Sequence, residues 1–213
     1  MATVPLALLE IKGVMVARRL EEKSLEFSRD AWNLDALAGR FVELSGSAAT
    51  AALTVSAGLI LEAQRQGEAA AWITERGSTF FPPDFAASGI DLEALPVVRV
   101  PDAAKGARAA DALLRSGGFA LVVLDLAAAQ RVPQATQSRL AALAKKHHTA
   151  LVCITRKESR APSLGPLVSI RGHTHMRRKG FDCFIGEVCI GKDRRRGAGW
   201  EHSEVFCGPE GLC

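Results

Sequence analysis

The chain has 213 residues, 48% of them apolar and 23% charged, with 27 Lys plus Arg against 23 Asp plus Glu. A sequence of this length and apolar content can bury roughly 70% of its unfolded surface, which fits one globular domain and excludes a disordered chain. No apolar run approaches the ~20 uncharged residues of a membrane span, and Glu10, Lys12, Arg18 and Arg19 interrupt the stretch where a secretory leader would have its apolar core, so a soluble cytoplasmic protein with no membrane partner is expected.

Elements follow in a regular order. Leu6, Leu9, Val16 and Leu20 lie at roughly helical spacing and predict an amphipathic N-terminal helix, weakened by Gly13, with a polar connector containing Ser28, Asp30 and Asn33 behind it. Residues 40–45 (RFVELS) read as a strand stopped by Gly46, residues 48–66 as a helix, residues 70–74 as a strand, and Pro82-Pro83 opens a short helix ending near Gly89. A strand over 96–100 leads to an alanine-rich helix capped by Asp102 and ended by Gly117-Gly118. The continuously apolar FALVVL (119–124) then reads as a strand inside a parallel sheet. Residues 133–146 read as helix, with Lys145, Lys146, His147 and His148 placing cations at its carbonyl end, and 149–154 as strand. Strands alternating with helices imply right-handed crossovers and a mostly parallel sheet covered on both faces. Past Thr155 the pattern changes: a charged loop (156–165) precedes three strand-like segments, 167–176, 181–190 and 201–207, with no helix between them, read as antiparallel edge strands. The expected division is an N-terminal helix and connector over 1–28, an α/β core over 29–155 and an antiparallel extension over 156–213, within one domain.

Charge is concentrated in that extension. Between Arg156 and Trp200 there are 11 basic and 4 acidic residues, a local +7 that leaves −3 for the rest of the chain. Such a concentrated positive region is the usual electrostatic footprint of a nucleic-acid contact. Arg156, Lys157 and Arg160 fall in the charged loop, Arg177, Arg178 and Lys179 in the next hairpin turn, and Arg195 and Arg196 further on; backbone phosphates need only mobile cations at such tips. Phe181, Phe184 and Trp200 are the available aromatic platforms, and all three are expected in the core, so weak, non-specific DNA binding is the expectation. His173-x-His175 points two imidazoles to one face without an evident third ligand, so no metal is expected. Cys153, Cys183, Cys189, Cys207 and Cys213 contain no C-x-x-C pair and read as reduced thiols.

At the first strand-to-helix turn, a phosphate loop of the form G-x-x-x-x-G-K-[ST] would supply glycine, lysine and a hydroxyl. Here Gly46 opens the turn, but Ala51, Ala52 and Leu53 stand at those three positions. The segment Gly39-Arg40-Phe41-Val42-Glu43-Leu44-x-Gly46 nevertheless resembles the G-R-x-V-E-x-x-G entry to the phosphate loop of RecA-type recombinases. Residues 71–75 (AWITE) resemble the strand ending in the catalytic glutamate, residues 119–125 the Walker B strand, and residues 191–211 the last core strands, with Lys192 and Arg194 at a K-x-K pair. The resemblance covers about residues 30 to 212 and implies a RecA-like three-layer fold. Residues 80–91 (FFPPDFAASGID) look most like ImuA-type accessory proteins of translesion synthesis, with SulA-type division inhibitors second.

That resemblance implies a non-catalytic adaptor in DNA-damage tolerance, acting with RecA, an ImuB-like protein and a DnaE2-type polymerase. Thr155-Arg156 stands where the family has Asn and the γ-phosphate-sensing Gln, so Glu75 and Asp125 remain as vestiges without the phosphate clamp. No bound cofactor and no ATPase activity are expected. A SulA-like inhibitor binding a tubulin-like protein and a degenerate nucleotidase are the alternatives. The Leu6 to Leu20 helix, with Lys192 and Arg194 at the reach-across positions, is expected to dock on a RecA filament end.

Overall fold

The computed structural model describes residues 32–47, 50–76, 80–126, 132–181 and 183–207. Its elements are α1 (Leu34–Leu37), β1 (Phe41–Gly46), α2 (Ala52–Arg65), β2 (Ala70–Glu75), α3 (Pro82–Ala87), β3 (Val97–Val100), α4 (Ala103–Ser116), β4 (Leu121–Asp125), α5 (Gln134–His147), β5 (Ala150–Arg156), β6 (Ile170–Arg178), β7 (Cys183–Asp193) and β8 (Glu201–Cys207). The expected helix carrying Leu6, Leu9, Val16 and Leu20 lies outside the described residues.

All eight strands join one sheet in the order β3-β2-β4-β5-β1-β6-β7-β8. Pairing is parallel from β3 through β6 and antiparallel for β6-β7 and β7-β8. The mostly parallel α/β architecture with antiparallel strands at its C-terminal end therefore matches the expectation. One detail differs. β6 is an interior strand, pairing parallel with β1 from Val42↔Ile170 to Ser45↔His173 as well as antiparallel with β7, so among the described residues only β3 and β8 are edges. Alternation in a sequence marks which face is covered, not which strand lies beside it.

Two apolar layers enclose the sheet. On one face, Leu34 and Leu37 of α1, Val55, Leu59 and Ile60 of α2 and Phe85 of α3 meet Val42, Leu44, Trp72, Leu121 and Val123. On the other, Ala107, Ala110 and Leu114 of α4 and Leu140 and Ala144 of α5 meet Phe41, Ile73, Val122, Leu124 and Leu151. The Phe80-Phe81-Pro82-Pro83 segment is anchored because Trp72, fully buried, stacks with Phe80 and Phe85 at 5.3 and 5.1 Å between ring centroids, each such pair adding about 0.5–1.5 kcal/mol beyond its buried area.

Local chemistry sets the ends. The Asp102 carboxylate accepts from Lys105 N at 2.8 Å to start α4, and Gly117 closes it in the left-handed region at φ 69. Asn33 does the same for α1, accepting from Ala36 N at 2.7 Å, with Leu34 and Leu37 buried on one face. This converts part of the expected connector into a helical turn. α2 begins at Ala52 rather than at 48, because Thr50 and Ala51 belong to the turn.

Candidate functional site

The strand-to-helix turn after β1 closes on itself. Thr50 Oγ1 accepts from Ala52 N at 3.2 Å and bonds the Thr174 hydroxyl, which also donates to the Ser45 carbonyl at 3.1 Å. A Cβ on Gly46 would lie 2.2 Å from Thr50 Oγ1, so this glycine is what lets Thr50 fold back. Ala51 is fully buried and Ala52 is 1% exposed, Leu53 packs on the same core, and β7 passes so close that a Cβ on Gly186 would stand 3.0 Å from Ala51 Cβ. Positions that would carry a phosphate-binding lysine and hydroxyl thus hold apolar groups seated in the core. Nearby, Glu75 and Asp125 end the adjacent strands β2 and β4, both buried, and Thr74 Oγ1 donates to Asp125 Oδ2 at 3.3 Å.

Glu43 is the polar centre of this end of the sheet. Fully buried on β1, its Oε1 takes an ion pair from Lys157 Nζ and a bond from Thr155 Oγ1 at 3.3 Å, while its Oε2 accepts from Ser163 Oγ at 2.6 Å and Leu164 N at 2.9 Å. One carboxylate therefore fastens the loop between β5 and β6 onto the sheet. A second buried pair, Arg40 with Asp193, ties the start of β1 to the end of β7. Arg195 N, Arg196 N and Trp200 Nε1 also donate to Asp193, at 2.8, 3.3 and 3.3 Å. Burial alone would raise the Asp193 carboxyl, but the bonds from Arg40 and these backbone groups outweigh it and hold the carboxyl below its ordinary value.

The structure sorts the basic residues singled out in the sequence. Lys157 is turned inward onto Glu43 and the Pro162 carbonyl, 2.8 Å away, so its head is committed within the chain. Lys192 and Arg194 converge on the Pro166 carbonyl, Lys192 at 3.3 Å. Burial, followed by the neighbouring Arg194 charge, lowers the Lys192 ammonium from its usual range. Arg156 is exposed as the last residue of β5, paired in register with Gly46, and not in the loop where the sequence placed it; Arg160 is exposed on the loop, and Arg195 and Arg196 are exposed on the β7–β8 turn, with Arg196 over the Trp200 ring at 5.8 Å.

The most prominent basic group is at the β6–β7 turn. Arg177 and Arg178 end β6 rather than occupying the turn, which begins at Lys179. Arg177 bonds Glu187 at 2.9 Å across to β7, and Arg178 bonds the Gly180 carbonyl at 2.8 Å and lies over the Phe181 ring at 5.7 Å. Phe181 is 71% exposed, which corrects the expectation that it belongs to the core. It caps a turn that none of the described elements covers, and turn placement could not be read from residue type alone. Phe184 and Trp200 are half-buried, and Trp200 packs against the core.

Between the β5–β6 loop and strands β6–β8 lies a cavity of about 430 Å³ lined by Ser163, Arg171, His173, Cys189, Lys192 and Trp200. His173 and His175 sit together at 4.6 Å between ring centroids, and His173 Nδ1 is 3.1 Å from Ser45 Oγ. Burial, then the neighbouring His175 and Arg171, push the His173 imidazole down, favouring a neutral ring. Among the described residues, no group of three or more His, Cys, Asp or Glu side chains could hold a metal ion, and no helix is long and apolar enough to cross a membrane.

A family model described as the RecA N-terminal domain matches residues 34–151. The chain belongs to the RecA N-terminal domain family. Protein RecA of Clostridium acetobutylicum is 39% identical over 99 residues, covering 46% of this chain and 27% of that protein. Protein RecA of Limosilactobacillus reuteri is 36% identical over 98 residues, covering 46% and 26%. The matched segment is thus about a quarter of the length of these relatives. The RecA N-terminal domain match runs from α1 to the start of β5, so the basic β6–β8 extension lies beyond it.

Proposed function

We propose that this chain is a RecA-like binding protein of DNA-damage tolerance, an ImuA-type adaptor that has exchanged ATP chemistry for contacts with DNA and with a translesion polymerase assembly. The observation that carries the reading is the contrast at the sheet's C-terminal ends. Ala51 and Ala52 are buried where phosphate-binding groups would be needed, while Arg177 and Arg178 at the end of the neighbouring strand β6, and Lys179 and Phe181 in the turn after it, are exposed. A cationic tip with an exposed ring suits a flexible anionic strand whose bases can stack, independent of sequence. Arg156, Arg160, Arg195 and Arg196 extend the same positive field, whereas the charge of Lys157 is neutralised by its ion pair with Glu43. RecA, an ImuB-like protein and a DnaE2-type polymerase are the partners this reading implies. A division-protein inhibitor would have no use for the phosphate-matching tip, and a nucleotidase would lack its phosphate clamp.

Docking on a RecA filament end through Lys192 and Arg194 belongs to the same reading, with one added requirement. Both cations must leave the Pro166 carbonyl to reach a neighbour's nucleotide. Lys192→Ala with Arg194→Ala should weaken nucleotide-dependent RecA binding at least tenfold, and binding that is indifferent to nucleotide overturns this mode of docking.

Titration of the full chain with ATP and with single-stranded DNA tests the central claim. The expected result is no ATP heat at millimolar nucleotide together with DNA binding whose log–log salt slope is roughly −3 to −4, for about four to six phosphates neutralised on a single strand. Micromolar ATP binding, or no DNA binding at low salt, overturns it.

A further inference from the structure

Two of the cysteines that look unrelated in sequence are brought face to face. In the β7–β8 ladder, Cys183 is registered directly opposite Cys207. Opposed residues of an antiparallel pair project to the same face with Cα atoms about 4.5–5.5 Å apart, inside the window of about 4.4–6.8 Å that a disulfide spans. Both thiols are free; Cys207 is exposed and Cys183 half-buried. The remaining described thiols are in different settings. Cys153 is fully buried, with burial and then Glu43 holding it as the protonated thiol, and Cys189 is raised by burial and by Glu201. Redox-responsive cysteines are accessible and have a resolving thiol beside them, and here only the Cys183–Cys207 pair meets both conditions among the described residues.

We propose that Cys183 and Cys207 form a cross-strand dithiol that peroxide closes to a disulfide at the end of the β7–β8 hairpin. The exposed Cys207 thiolate attacks one oxygen of hydrogen peroxide; the O–O bond breaks and hydroxide leaves, taking up a proton to become water. The resulting sulfenic acid is attacked at sulfur by the Cys183 thiolate, the S–O bond breaks, and a second water departs. Two thiols lose two hydrogens and one peroxide becomes two waters, so the step balances, and a thiol reductant reverses it by exchange. The placement gives the switch an output. The Cys183 carbonyl accepts from Lys179 N at 2.7 Å and from Gly180 N at 3.2 Å, so a bond that fixes Cys183 also fixes the backbone of the basic turn. That consequence, though not the dithiol itself, rests on the DNA-binding reading.

The test uses the full chain carrying Cys213→Ser, which removes a competing thiol, with Cys183→Ser and Cys207→Ser added separately. After stoichiometric hydrogen peroxide, mass spectrometry of a non-reduced digest should show one linked pair of peptides carrying Cys183 and Cys207, with loss of two hydrogens. The thermal midpoint should rise by roughly 5–10 °C, return with reductant, and not move in either added serine variant. Sulfinic acid without a link, a link between two chains, or an unchanged midpoint would overturn the proposal. Salt titration of DNA binding separates the output: a disulfide that forms and leaves DNA affinity unchanged removes the coupling to the turn, while absence of DNA binding in both redox states defeats the functional reading and leaves the dithiol standing.

Discussion

The two ends of the sheet solve the same covering problem by different means. From β3 to β1, helices lie over both faces, and the residues that hold them, such as Val122, Leu124, Leu114 and Leu140, are apolar and fully buried. Over β1 and β6 the α5 side continues as a loop, residues 157–168, which cannot present a periodic apolar stripe. It packs Leu164 and Val168 and relies on one buried carboxylate, Glu43, for the rest. Helical cover distributes its stabilisation over many small contacts. Loop cover concentrates it in a few charges, where single substitutions should be felt most.

The largest effect is expected at Arg40. With both members of the Arg40–Asp193 pair buried, Arg40→Met strands a carboxylate and should cost about 3–5 kcal/mol of unfolding free energy, read by urea denaturation. Arg40→Met with Asp193→Leu should recover much of it, and if it does not, the pair is not acting as a unit. Lys157→Met comes next, at about 2–3 kcal/mol, since three neutral donors still face Glu43; the same variant should speed proteolysis within 157–166 while leaving α4 and α5 protected from amide exchange. Equal loss of protection across the sheet would erase the distinction between the two kinds of cover.

A pH series is smaller and has a defined direction. His202 is buried beside Trp32, with rings 6.2 Å apart and Glu204 at 3.8 Å, and burial depresses its imidazole from 6.5 to about 4. Between those values the unfolded chain binds a proton that the native state refuses, so stability is full above pH 6.5 and falls as pH drops toward 4, by about 2–3 kcal/mol. His202→Gln should flatten this window. Asp193, held below the ordinary carboxylate range, contributes at higher pH and loses its contribution only as pH falls further, through its own lowered value. The smallest expected change is in the stability of the triple variant Arg177→Glu, Arg178→Glu, Lys179→Glu, below about 1 kcal/mol because these charges are exposed, although DNA binding should be abolished. A larger thermal shift would mean that the turn is part of the fold's support.

This contrast also explains what the sequence discloses. The apolar runs of β4 and β5, the Asp102 cap and the Gly117 stop are local signals, and they place the parallel half of the molecule closely. Glu43 is visible in sequence only as one letter of a family motif; its partners Lys157, Ser163 and Leu164 lie more than a hundred residues away, as does Asp193 from Arg40. Lys157 therefore reads as a solvent cation although it is an internal counter-ion. Phe181 reads as core for a related reason: hydrophobicity predicts burial only where an element exists to bury it. The apolar replacement at Ala51 and Ala52 is legible directly, since it depends on composition at a known turn. The Thr50–Thr174 closure behind it needs β6 and so is not.

The position of β1 has a consequence for how the chain can be made. Its two neighbours are β5 and β6, so the first strand of the sheet waits for segments that leave the ribosome more than a hundred residues later, a non-local arrangement that slows folding. Until residue 170 emerges, one flank of β1 is an open edge, while Glu43 waits for Lys157 and Arg40 waits longer still, for Asp193. A polypeptide cut to the family-matched span, 34–151, would stop one step short of every group that neutralises them. That span should consequently behave as an aggregating fragment, and the sheet becomes self-sufficient only when its C-terminal strands arrive.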